Sequence, residues 1–381
     1  MKILRFHGEN IVNGVGSLAY LKKITYKRAM VITGGKSMYE SGIIDKIKKY
    51  MEKPNSTLKI YSGISKNPTK YQVNAALETA KLFKPDTFIA VGGGSPLDAA
   101  KAVLLFYEFP ELNFDNVFDK TLPIERKKTK FIAIPSTSGT ASEVTHVSVI
   151  TYPEENLKLA IKAECLRPDI TILDGNITMS LPPHIAAQTG MDALTHALES
   201  YINTGGDDFT DALAKSAIEG ILHWLPISCK QGTLESRQKM HAFQCMAGMA
   251  FSNAGLGMVH GVSHAFGGMY NLAHGLTNAV ILPYSMDYNK RSIAVAKKYK
   301  IISHAIDGDI IEKVRELSQE INIPACIKEA GVDEKDFVKN YDKLVENAML
   351  GSTMVNPIKV SVDDMKIFIR NIYYGNEVNW G

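Results

Sequence analysis

Three imidazoles, His260, His264 and His274, fall inside residues 241–286, a run with no Asp, Glu, Lys or Arg. Imidazoles buried in such a run need partners, because an unpaired polar group is costly in a core. A shared cation would supply one. An acid stands earlier in the chain: Asp192 and His196 are four residues apart, so on a helix both side chains leave the same face. Alone, that pair serves equally well as a helical Asp–His hydrogen bond. Together, Asp192, His196, His260 and His274 make a set of three nitrogens and one oxygen suited to Fe2+, Zn2+ or Ni2+, and the affinity order of first-row metals does not choose among them. His264, one helical turn after His260, is left over as a candidate proton relay. His7, His146, His184, His223, His241 and His304 have no partner that spacing identifies.

A second chemistry is written in glycines. Residues 91–101, VGGGSPLDAAK, run from an apolar strand through Gly92, Gly93 and Gly94 into a helix for which Ser95 is the expected cap. Glycines let backbone approach a ligand closely, and the N–H groups and dipole of a helix start suit a pyrophosphate. A plain strand-to-helix turn rarely needs three glycines. The sequence GVGSLA at 14–19 imitates a dinucleotide fingerprint, but residues 9–13 before it are short and polar, so it is expected to be a turn capped by Ser17. The strand expected at 29–33 ends in Gly34-Gly35-Lys36-Ser37, with a base where an acid would grip a ribose 2′-hydroxyl. That favours NADP(H) over NAD(H). Residues 135–145 carry hydroxyls at Ser136, Thr137, Ser138, Thr140, Ser142 and Thr145, donors for ribose, phosphate or amide groups. A Gly-x-Ser-x-Gly nucleophile elbow is absent, which argues against a serine hydrolase.

The elements that must position these groups follow from apolar periodicity. Short runs, apolar at successive positions, at 29–33, 58–61, 87–91, 131–134 and 170–173 read as buried parallel strands. Helix-like stretches at 69–83 and 96–105 lie between them, and such alternation predicts an α/β parallel sheet. After Leu181-Pro182-Pro183 the pattern turns helical, with helices expected at 185–201, 211–222, 235–251 and 314–321. We therefore expect a nucleotide-binding α/β domain over 1–180 and a helical metal-binding and substrate domain over 181–381, with a small-molecule cleft between them.

Composition bounds the alternatives. With 381 residues, 45% apolar and 22% charged, the chain can fill two or three cores without disulfides. Its net charge of +3 comes from interspersed Lys and Glu, which gives no sign of a nucleic-acid partner. Cys165, Cys229, Cys245 and Cys326 form no CxxC pair, and the N-terminal MKILRFHGEN has no export-signal pattern, so a reducing cytoplasmic setting is expected. The uncharged run is not expected to span a membrane, since His260, Ser263, His264, Asn271, His274, Thr277 and Asn278 interrupt it.

The combination of GGGSPLDAAK at 92–101, IPSTSGTASEVT at 134–145, TGMDALTHALESY at 189–201, GMVHGVSHAFGG at 257–268 and His274-Gly275 resembles the iron-containing, group III alcohol dehydrogenases. It spans nearly the whole chain, and GGKSM at 34–38 is most similar to the NADPH-dependent butanol dehydrogenases. The resemblance implies a dehydroquinate synthase-like fold, with an N-terminal dinucleotide-binding domain and an all-helical metal domain. It implies Fe2+ held by Asp192, His196, His260 and His274, with Asn67, Gly94, Ser95, Asp98, Thr137, Ser138, Thr140, Thr145 and Lys158 seating the cofactor. Val147 departs from the polar residue that some members place near the nicotinamide ribose. Phe251 is expected in an apolar alkyl pocket. The implied reaction is hydride transfer between NADP(H) and a primary alcohol or aldehyde, in a homodimer or larger assembly. A dehydroquinate synthase-like lyase, which characteristically uses a glutamate ligand and a basic pocket, and a noncatalytic nucleotide- or metal-binding protein are the alternatives.

Overall fold

The computed structural model describes residues 2–154, 157–377 and Trp380. It divides into two compact units, Met1–Leu181 and Pro182–Gly381.

In the first unit, β1 (Asn10–Asn13), β2 (Arg28–Gly34), β3 (Thr57–Ile64), β4 (Thr87–Gly92) and β5 (Lys130–Pro135) join β8 (Ile170–Leu173) in one parallel sheet of order β1-β8-β5-β4-β2-β3. Alternation along β2 sends Met30 and Ile32 to one core and Ala29 and Val31 to the other, and β4 divides Phe88 and Ala90 from Ile89 and Val91 in the same way. Helices α1 (Ser37–Glu40) and α2 (Ile43–Met51) contribute to the second core, while α3 (Lys70–Phe83) and α4 (Gly94–Glu108) contribute to the first. Burial on both faces is why these strands are apolar at successive positions. Each fully buried Ile or Leu contributes about 1.5–3 kcal/mol. The helix expected from residue 69 is set by Thr69, which forms a reciprocal capping box with Gln72.

Strand order reverses between β2 and β4: β3 lies outward of β2, whereas β5 and β8 continue on the side of β4. In open α/β sheets the carboxyl ends of strands at such a switch point form the ligand crevice. Here that position holds an open groove of about 550 Å3.

Three local expectations are corrected, and one element is unforeseen. The polar segment at 10–13 is a strand after all, because an edge position beside β8 buries only part of it. Ser17 does not cap the turn that follows; Gly16 adopts a left-handed φ of 82°, and the Asp174 carboxylate accepts the N–H groups of Gly16 and Leu18, each at 3.0 Å. Ser17 instead donates to the Leu173 carbonyl at 3.1 Å. Ser95 is not a cap either, since α4 begins one residue before it and Gly93 holds the cap position. Finally, β6 (Val147–Tyr152) and β7 (Leu157–Lys162) form an antiparallel pair that the half-exposed pattern concealed.

The second unit is helical: α5 (Pro183–Ile202), α6 (Asp208–Lys230), α7 (Leu234–Ala254), α8 (Met258–Tyr270), α9 (His274–Asn289), α10 (Ile293–Ala305), α11 (Ile310–Glu320), α12 (Glu334–Ala348) and α13 (Val362–Tyr374). The uncharged run occupies the later part of α7, all of α8 and most of α9, where Val259, Val262, Phe266, Val280 and Ile281 are buried. Among the described residues no helix is long and apolar enough to cross a membrane.

Candidate active site

The groove of the first unit is lined by Gly34, Gly35, Ser37 and Met38 at and beyond the end of β2, by residues 62–66 at and beyond the end of β3, and by Gly92, Gly93, Gly94, Ser95 and Pro96 where β4 enters α4. Lys36 is exposed beside this lining, at the start of α1. The chain makes its tight turn at Gly92, whose φ is 144° and where a Cβ would stand 2.5 Å from Pro96 Cγ. A Cβ at Gly94 would meet Thr140 Cγ2 at 2.9 Å, so the glycine lets the hydroxyl-rich loop close onto the first turn of α4. No side chain caps that helix start, which leaves backbone donors of the kind that bind phosphate.

Asn67 joins the groove through its N–H, which donates to Ser95 Oγ at 3.2 Å, while its Oδ1 accepts from Lys158 Nζ at 3.1 Å. Burial holds the Lys158 ammonium below its ordinary range, with neighbouring Lys66 adding to the effect. Thr137 stands beside Gly93.

Other residues expected at the cofactor are placed inside the protein. Asp98 is half-buried, accepting from Ser142 Oγ at 2.6 Å and from the Val149 N–H at 3.1 Å. Burial raises its carboxyl's pKa, against the pull of Lys101. Thr145 and Ser138 are buried, and Thr145 Oγ1 accepts from Lys101 Nζ at 3.1 Å. Val147 offers its carbonyl to the same ammonium at 2.8 Å. Burial lowers Lys101 to about 8, opposed by Asp98 and Glu143. Ser142, expected as a donor to ribose, phosphate or amide groups, bonds Asp98 and Lys101 instead; Lys101 had no expected role, and its signal is its place three residues after Asp98, on the same helix face.

In the second unit, α5 carries Asp192 and His196, α8 carries His260 and His264, and His274 opens α9. Ligand atoms of Asp192, His260 and His274 all lie within 4.8 Å of one another. Asp192 Oδ1 is 3.8 Å from His260 Nε2, 3.7 Å from His274 Nε2 and 3.8 Å from His196 Nε2. Metal bonds of about 2.1 Å at tetrahedral angles separate ligand atoms by roughly 3.4 Å, so these spacings and this donor chemistry fit a divalent cation. His196 joins through Asp192, and its ring stacks on Phe251 and His260 at centroid distances of 4.3 and 4.7 Å. His264 stacks on His274 at 5.0 Å.

The expectation that three imidazoles are buried together holds for His260 alone; the His274 side chain is 35% exposed, and His264 is exposed. Burial drives the His260 pKa well below its ordinary value, and the neighbouring His196, His274 and His264 act in the same direction. His260 is thus a neutral, lone-pair-bearing ring at neutral pH. Two neighbours were missed from sequence. Asn278, one turn after His274, donates its amide to Asp192 Oδ1 at 2.7 Å. Glu199, one turn after His196, lies 2.5 Å from His260 Nδ1. Burial pushes the Glu199 carboxyl up to about 8, against the N–H groups of Gly257, Val259 and His260.

Comparison with known proteins finds two family matches, one described as "Iron-containing alcohol dehydrogenase" over residues 8–175 and one as "Fe-containing alcohol dehydrogenase family, C-terminal" over residues 186–373. An NADPH-dependent butanol dehydrogenase of Clostridium saccharobutylicum is 40% identical, across 97% of this chain and 98% of its own. The aldehyde-alcohol dehydrogenase of Streptococcus pneumoniae is 36% identical across 94% of this chain, which spans only 44% of that longer protein. The solved structure of an iron-containing alcohol dehydrogenase from Thermococcus thioreducens superposes with a TM-score of 0.91 at 33% identity, covering 99% of this chain and 100% of that one.

Proposed function

The chain belongs to the iron-containing alcohol dehydrogenase family, and on that premise we propose that it interconverts primary aliphatic alcohols and their aldehydes, with NADP(H) as hydride carrier. The observation that carries this reading is the convergence of Asp192, His260 and His274 on one point of the second unit. In our reading these three and His196 hold Fe2+, with Zn2+ or Ni2+ as substitutes. When bound, the cation supplies Lewis-acid polarisation of the substrate oxygen, and the nicotinamide gives or takes the hydride.

The chain's own residues do the rest. Gly93, Gly94 and Ser95 offer the helix start to the pyrophosphate, and Asn67 and Lys158 offer an amide and an ammonium beside it. Gly34, Gly35, Lys36 and Ser37 receive the ribose end, where the lysine favours a 2′-phosphate. Thr137, Ser138, Thr140 and Thr145 belong to the loop that shapes this seat, and Asp98 fixes the loop from beneath. Phe251 supplies an apolar wall, and the charge-free run around it suits an alkyl chain better than an anionic substrate. His264 is the group that takes up the hydroxyl proton on its imidazole and passes it to solvent. We place the protein in a reducing cytoplasmic setting; Cys165, Cys229, Cys245 and Cys326 are all buried. The expected assembly is a homodimer or larger.

The test is an anaerobic assay with added Fe2+ or Zn2+, following loss of NADPH absorbance with butanal. Turnover that depends on aldehyde, metal and NADPH supports the reading. A loaded protein that turns over no aliphatic aldehyde with either nucleotide overturns it.

A further inference from the structure

The buried carboxylate of Glu199 meets two needs at once. Helix α8 begins after Gly257, which has no side chain with which to cap it, and the helix leaves its first N–H groups and the positive end of its dipole pointing at α5. Glu199, only 3% exposed, accepts the Val259 N–H on Oε1 at 2.7 Å, and the N–H groups of Gly257 and His260 also bond it. Its other oxygen, Oε2, faces His260 Nδ1. The fit is close: a Cβ at Gly257 would stand 2.9 Å from Glu199 Oε1 and 3.0 Å from Asn356 Oδ1, which itself accepts the Met258 N–H at 3.2 Å.

We propose that Glu199 is a positioning residue for metal binding, fixing the tautomer and orientation of His260. This rests on the ligand set of the proposed function. In its ionised form, which the donors facing both oxygens favour against burial, Glu199 accepts the Nδ1 hydrogen and leaves Nε2 with its lone pair, and Nε2 is the atom aimed at Asp192 Oδ1. His274 has a weaker counterpart, the neutral Ser263 hydroxyl 3.3 Å from its Nδ1. The two partners therefore rank: loss of Glu199 harms metal affinity more than loss of Ser263.

Glu199→Gln tests the assignment because four donors face the two carboxylate oxygens. A glutamine amide turned toward the backbone opposes N–H groups. Turned toward His260, it donates into Nδ1 and moves the ring hydrogen to Nε2, which then cannot ligate. Metal-stripped wild type, E199Q and Ser263→Ala are titrated with Zn2+ against a chromophoric chelator, with circular dichroism monitoring the fold. Folded E199Q is expected to bind about 10–100-fold more weakly than wild type, and S263A less weakly than E199Q. Folded E199Q that binds as tightly as wild type overturns the proposal alone; a purely capping role predicts that result together with a lower melting temperature. Wild type that binds no Zn2+ overturns the ligand set beneath it. Where E199Q does not fold, long-range 1H–15N spectra of Zn2+-loaded wild type decide. A hydrogen on His260 Nδ1, shifted far downfield, supports the proposal, and an Nδ1 without hydrogen overturns it.

Discussion

The Lys101 ammonium donates to the Ser142 hydroxyl at 2.9 Å, and Ser142 passes its own hydrogen to Asp98 at 2.6 Å. This chain ties the first turns of α4 to the hydroxyl-rich loop; Lys101 and Ser142 are buried and Asp98 is half-buried. Burial lowers the folded pKa of Lys101 to about 8 from an ordinary 10.5. The unfolded chain therefore binds more protons between those values, and stability from this group grows as pH rises through that window and is lost as pH falls back through 8. The full swing is at most about 3 kcal/mol. Lys101→Met removes it and leaves the half-buried Asp98 without its cation, a loss of about 3–5 kcal/mol near neutral pH. Urea denaturation from pH 7.5 to 10.5 checks both parts. A wild-type stability advantage over K101M that stays flat with pH contradicts the assignment.

Gly92 carries the second prediction. Its φ of 144° and the 2.5 Å approach of Pro96 Cγ leave no room for a methyl group. Gly92→Ala is expected to cost about 1–3 kcal/mol and to weaken NADP+ binding, because the start of α4 must move. Calorimetric titration with NADP+ and thermal melts measure the two effects. An alanine variant with unchanged melting temperature and affinity shows that the turn is not under this constraint.

Apolar runs such as 29–33 and 87–91 announced the sheet because both of its faces are covered, and the strands then need no polar alternation. The edge strand β1 was hidden for the opposite reason: its burial is partial, so its asparagines looked like loop. In the second unit, Asp192 and His196 were legible because both lie on one helical turn. Glu199 sits in the same helix, yet its partner is 61 positions away, and nothing local distinguishes it from a solvated acid. Asp98 and Lys101 fell in the helix expected around 96–105, and the resemblance placed Asp98 at the cofactor. Only the fold reveals that both bond the hairpin β6–β7, because which helix face is covered depends on that hairpin, itself inconspicuous in sequence.

The proposed preference for NADP(H) rests on the end of β2. Lys36 is exposed beside groove residues Gly35 and Ser37, and the segment from Gly34 to Met38 offers no carboxylate to a ribose 2′-hydroxyl. An ammonium paired with a 2′-phosphate at such a surface is worth about 1.4 kcal/mol, or tenfold. Lys36→Ala should lower the ratio of kcat/KM for NADPH over NADH by about that factor, mostly through KM. Steady-state kinetics with both nucleotides give the ratio directly, and a wild type that prefers NADH refutes the lysine's role.

Among the described residues, Asp192 is the carboxylate facing the Nε2 atoms of His196, His260 and His274, with its Oδ1 3.7 to 3.8 Å from each. Asp192→Asn preserves size and removes the charge. A neutral set of three imidazoles and an amide binds a hard divalent cation far less well, because the carboxylate supplies the only anionic oxygen. Affinity should fall by more than the 10–100-fold typical of losing a group that merely holds a ligand in place. Metal content after dialysis and aldehyde reduction should therefore fall together, while circular dichroism of the stripped protein remains that of wild type. Adding excess Fe2+ or Zn2+ should restore part of the activity if the variant binds metal weakly, and none if its site is lost. Full turnover by D192N containing no metal would show that Asp192 and its imidazoles are a buried polar cluster rather than a metal site.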